Sequence, residues 1–120
     1  MRILITNITL AWRTGTEIVT RDLALQLKRR GHDPIVYTPE PGPIADEIRA
    51  GGVDVVDSLD DVSPPDVIHA HHAQPCVAAA LRFPGVPVLF VCHDAHSFAD
   101  EVPPLPQIGR FVGVDDACRE

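Results

Sequence analysis

Short apolar runs recur along the chain, separated by stretches in which apolar positions return with a helical period. The first is Arg2-Ile3-Leu4-Ile5-Thr6, followed by Pro34-Ile35-Val36-Tyr37-Thr38, Val53-Asp54-Val55-Val56 and Asp66-Val67-Ile68-His69-Ala70. Two more stand at Pro87-Val88-Leu89-Phe90-Val91-Cys92 and Phe111-Val112-Gly113-Val114. Runs this short and this apolar suit strands buried on both faces. Between the first two, Val19, Leu23 and Leu27 recur at i, i+4 and i+8, with Ile18 and Ala24 widening the face, which predicts a helix over residues 14–30. Thr14 and Glu17 have capping-box spacing, and Gly31 stands where a helix end takes a left-handed residue. A short helix is predicted over 44–50, stopped by Gly51-Gly52, and another over 75–82, where Val77-Ala78-Ala79-Ala80-Leu81 supplies small apolar residues.

Regular alternation of apolar strands with helices implies an α/β domain, a mostly parallel sheet of about six strands covered by helices on both sides. Right-handed crossovers give a Rossmann-like three-layer arrangement with strand order 3-2-1-4-5-6. Ligands of such sheets bind at the carboxyl ends of the strands, near the point where strand order reverses. That rule sorts the polar residues. Asn7 and the loop to Thr16 follow the first strand, His71 and His72 the fourth, His93, Asp94 and His96 the fifth, and Asp115 and Asp116 the sixth. The first, fourth and fifth strands are neighbours in this order, so most of the chemistry is expected on one rim.

Composition narrows the classes. With 120 residues, 45% hydrophobic and 22% charged, the chain suits one soluble domain. A net charge of −7 argues against nucleic acid as a partner. Lys28-Arg29-Arg30 ends the long helix, where basic groups complement the dipole. No apolar run approaches the ~20 residues of a membrane span, so a cytoplasmic location is expected and a membrane surface is not indicated. Cys76, Cys92 and Cys118 form no C-x-x-C pair and read as small buried thiols. The 12 prolines fall between periodic segments and punctuate loops.

Three constellations bear chemistry. The turn Thr14-Gly15-Thr16-Glu17 opens a helix behind a strand, and its free N–H groups suit a phosphate, with Gly15 permitting close approach. Capping by Thr14 and Glu17 is the simpler role, and the two are compatible. No G-x-G-x-x-G or Walker-type loop is present. His69, His71, His72, His93 and His96 invite a metal reading, but no carboxylate stands at the spacing of a known hydrolase signature, so no metal is expected. His93 beside Asp94 is the best catalytic candidate, a strand-end imidazole oriented by a carboxylate. A surface loop histidine is the alternative. Ser97 lacks a nucleophile elbow. Trp12, the sole tryptophan, either stacks on a sugar or lipid acceptor or anchors its loop.

In their order and spacing, these motifs resemble the N-terminal domain of GT-B glycosyltransferases of the family-four-like type. The residues that carry the resemblance are the strand Arg2-Ile3-Leu4-Ile5-Thr6, the turn Thr14-Gly15-Thr16-Glu17, and the helix end Leu27-Lys28-Arg29-Arg30-Gly31-His32-Asp33. They continue with Asp66-Val67-Ile68-His69-Ala70-His71, Pro87-Val88-Leu89-Phe90-Val91-Cys92-His93-Asp94 and Phe111-Val112-Gly113-Val114-Asp115. The resemblance spans nearly the whole chain and implies one half of a GT-B fold, the acceptor side of a cleft whose other wall holds the nucleotide-sugar donor. It implies that Thr14, Gly15 and Thr16 approach the donor phosphates and that His93 sits by the reacting sugar. Asn7, Trp12, His71, Asp94 and His96 would face the hydroxyl acceptor. Reaction with retention and without a metal or other cofactor follows for such enzymes, the nucleotide sugar being a co-substrate.

Two departures stand out: Thr14 replaces the first of the family's paired glycines, and Asp115-Asp116-Ala117-Cys118 replaces a Ser-led helix start. The donor domain is expected outside this chain, in cis or in trans, and the chain alone is expected to be inactive. A free-standing binding module and a His-cluster metal hydrolase are the competing classes.

Overall fold

The long helical period is realised as α1 (Gly15–Arg29), which follows strand β1 (Arg2–Thr6). The computed structural model describes residues 1–12, 15–92 and 108–113. Helix α1 ends as its sequence requires. Gly31 takes φ +87°, its N–H donates to Lys28 O at 3.2 Å, and the His32 N–H donates to Leu27 O at 3.1 Å. That pair of bonds is a Schellman motif, and only glycine adopts its left-handed residue without strain.

The chain continues through β2 (Asp33–Tyr37), α2 (Pro43–Ala50), β3 (Asp54–Val56), β4 (Val67–His71), α3 (Ala73–Arg82), β5 (Val88–Cys92) and β6 (Ile108–Gly113). The strands form one sheet in the order β3-β2-β1-β4-β5-β6, every neighbouring pair parallel. The fold is therefore the Rossmann-like α/β arrangement expected, including the reversal of direction between β1 and β4. Boundaries moved by up to three residues. His71 closes β4 instead of following it, and β6 begins at Ile108 where the apolar run predicted Phe111.

Two cores sandwich the sheet. Helices α1 and α2 cover Ile3, Ile5, Val36, Val53 and Val55 on one face, while α3 covers Leu4, Ile68, Ala70, Val88 and Phe90 on the other. Alternation along β1 produces this division, because successive side chains point to opposite faces. The phase of α1 differs from the one its apolar residues predict. Its buried residues are Glu17, Thr20 and Ala24, whereas Val19 is 46% exposed. Apolar spacing located the helix but not the stripe it buries, since two polar residues of its first turns face inward. No helix among the described residues is long and apolar enough to cross a membrane.

Candidate functional site at the carboxyl rim

Among the described residues, the buried polar side chains are Thr6, Asn7, Glu17, Thr20, Thr38, His71 and His72. Every one belongs to the carboxyl end of the sheet. Thr6 and Asn7 end β1, Thr38 follows β2, His71 and His72 end β4, and Glu17 and Thr20 lie in the first turns of α1. Burying polar groups costs free energy unless they find partners, so a core places them where something requires them. Here they collect around the β1–β4 seam, the switch point of the sheet.

The segment leaving β1 is pinned residue by residue. The Asn7 N–H donates to Tyr37 O (3.1 Å) and the Ile8 N–H to His72 Nδ1 (3.1 Å). Leu10 donates to Glu40 O (2.9 Å) and accepts from the Ile44 N–H (3.2 Å), so the loop carbonyl satisfies an otherwise open donor in the first turn of α2. The Ala11 N–H donates to Thr9 Oγ1 (3.1 Å), and Asn7 Nδ2 donates to Thr9 O (2.9 Å). Asn7 Oδ1 is buried and has no hydrogen-bond partner among the described residues. Fully buried Leu10 anchors this loop, and Trp12 beyond it is 66% exposed. Of the two roles open to Trp12, presentation at the surface fits; the anchoring falls to Leu10.

Gly15 begins α1 with open space where a side chain would stand, and Thr16 is half-buried beside it. Glu17 is only 3% exposed in the same turn, so the positive end of the helix dipole already has a carboxylate near it. The turn thus offers an anion an open edge at Gly15 and a competing charge at Glu17. Sequence reading took Glu17 as a cap alone; its burial is a feature that spacing does not reveal. Thr14, the other half of that capping box, lies outside the described residues.

His71 is 1% exposed and its ring lies 4.9 Å from that of half-buried His69, the same-face pairing that strand alternation predicts. His71 is therefore part of the wall of the rim, not an exposed group. The described residues contain no group of three or more His, Cys, Asp or Glu placed to hold a metal. His93, Asp94, His96, Asp115, Asp116 and Cys118 fall outside the described residues. Cys76 is a buried free thiol in α3.

A cavity of about 510 Å³ opens elsewhere, along the β3 edge, between Ile35, Arg49, Asp54, Asp57 and Asp61. None of the residues predicted from sequence lines it. No protein-family model, curated protein or solved structure matches the chain.

Proposed function

We propose that the chain is the acceptor-side domain of a nucleotide-sugar-dependent glycosyltransferase of the GT-B type, one that retains configuration and uses no metal. Its donor-binding half would be supplied in cis or in trans. One observation carries the reading: the buried polar side chains gather at the carboxyl rim of a β3-β2-β1-β4-β5-β6 sheet, around its switch point. A polyhydroxylated substrate needs such a wall, because a sugar is held by several hydrogen bonds and by stacking on an aromatic ring. In this reading Trp12 meets the acceptor, and Asn7 lies in the wall with His71. Gly15 and Thr16 form the lip that approaches the donor diphosphate. His93 orients or deprotonates the reacting hydroxyl.

The test is amide-shift NMR on the ¹⁵N-labelled chain with UDP-glucose, GDP-mannose and a series of hydroxylated acceptors. Shifts confined to residues 7–17 and 69–72 and to the segment after β5 are expected. Shifts confined to the β3-edge cavity, or none at millimolar ligand, would refute the reading.

A further inference from the structure

Three features meet at His72, and each is unfavourable locally. Its backbone lies at φ 69° and ψ 143°, the one positive φ of a non-glycine residue among those described. That conformation is close to a region reserved for glycine, and such strain persists only where the surroundings impose it. His72 also occupies the N-cap of α3, yet its side chain caps no helix N–H, where Ser, Thr, Asp or Asn would. Finally, a polar ring is held at 8% exposure.

The ring is engaged with the neighbouring strand. His72 Nδ1 accepts the Ile8 N–H at 3.1 Å. An imidazole whose Nδ1 accepts is deprotonated there and, when neutral, carries its proton on Nε2, so this bond selects one tautomer. Ile8 opens the segment that leads through Leu10 and Ala11 to Trp12. On the β2 side, backbone bonds to Tyr37, Glu40 and Ile44 hold that segment. Across the seam, on the β4 side, the His72 ring ties it to the described residues. The left-handed backbone directs that ring back over the end of β1, and the helix forgoes its side-chain cap in consequence.

We propose that His72 is a positioning residue: by accepting the Ile8 N–H it locks the 8–12 segment against β4 and so sets where Trp12 stands at the rim. The proposal depends on the glycosyltransferase reading only for what Trp12 meets. The lock itself can be measured without any ligand.

The experiment uses the whole ¹⁵N-labelled chain and three variants, His72→Ala, His72→Gly and His72→Asn. Asparagine, like histidine, carries a single unbranched Cβ, so it leaves the backbone strain as it is in the native chain, and it places an acceptor oxygen near the position of Nδ1. In the native chain a scalar coupling across the hydrogen bond should join Ile8 N to His72 Nδ1. His72→Ala and His72→Gly should speed Ile8 amide exchange at least about fivefold, the scale of one lost hydrogen bond, and lower the fluorescence anisotropy of Trp12, the only tryptophan. His72→Gly should do so while relieving the backbone strain, so its loop loosens without a matching loss of global stability. His72→Asn should restore both readouts. If the coupling is missing, or if His72→Gly keeps native Ile8 protection and Trp12 anisotropy, the proposal is overturned. Should His72→Ala fail to fold, the Gly and Asn variants decide. A chain that passes these tests yet shows no rim shifts with UDP-glucose keeps the lock and loses only the glycosyltransferase reading.

Discussion

Gly42 and Ala11 touch so closely that a Cβ on Gly42 would lie 2.6 Å from Ala11 Cα. The contact joins the loop after β1 to the N-terminus of α2, where Gly42 is the N-cap and Pro43 follows in the first turn. Backbone, not a flexible side chain, blocks the added methyl. We therefore expect Gly42→Ala to destabilise the chain by about 1–3 kcal/mol, the usual range for forced overpacking. Urea unfolding measures that loss, and a shift in Trp12 emission should accompany it. An unchanged midpoint with unchanged emission would show that the two loops are not held together.

Gly15 gives the opposite expectation, because its missing side chain faces open space. Gly15→Val should alter stability by no more than about 0.5 kcal/mol, as at an ordinary surface position. If the glycine exists to let a diphosphate approach, the same substitution should raise donor KM at least about tenfold in the two-domain enzyme we propose. Thermal unfolding and steady-state kinetics separate the two effects. Native donor affinity in the valine variant would remove Gly15 from the site.

Burial pushes the Cys76 thiol up to about 11 from an ordinary value of 9.0. Below pH 9 the thiol is protonated in both folded and unfolded chains, and its burial is then fully compatible with folding. Between the two values the unfolded chain gives up the proton while the folded chain keeps it, so stability falls as pH rises, by up to about 1.4 kcal/mol per unit. Denaturation of the native chain and of Cys76→Ala at successive pH values isolates the effect. The difference between them should be constant below pH 9 and should move against the native chain above it.

Arg49 Nη2 donates to Val55 O at 3.0 Å on the outer strand of the sheet. Because Val56 O accepts from the N–H of Thr38, just after β2, at 3.0 Å, the alternation of a parallel ladder turns Val55 outward. The guanidinium therefore covers a carbonyl that another chain could pair with, a common protection of edge strands. Arg49→Ala should self-associate at concentrations where the native chain stays monomeric. Sedimentation velocity over a concentration series would show it, and identical profiles would deny Arg49 this role.

Much of the fold was legible because its signals are local. The apolar runs of β1, β4 and β5 can only be doubly buried strands, Gly31 marks the end of α1, and alternation with right-handed crossovers leaves few strand orders. The site was legible only to the level of a rim. Asn7, Trp12 and His71 could be assigned to strand ends from their positions, but their environments depend on partners far along the chain. Val19, on the predicted apolar face, is exposed, whereas Thr20, outside it, is buried, because what covers α1 is set by sheet packing. The strain at His72 has no sequence signal at all, since φ 69° with ψ 143° lies outside the αL region that non-glycine residues at positive φ usually adopt. Glu17 satisfied a capping pattern, which hid its burial.

Residues near position 6 meet residues near position 70 across the β1–β4 pair, with Thr6 opposite Ala70. During synthesis the strand, loop and first helix emerge long before β4 can join them, and pairing so distant in sequence forms late. The two walls of the rim thus cannot meet in a chain that stops short of β4, however much of β1, α1 and β2 has already formed. A molecule that binds this seam would recognise only chains in which β4 has docked beside β1, and by mass action would hold closed the strand pair whose partners lie farthest apart in sequence.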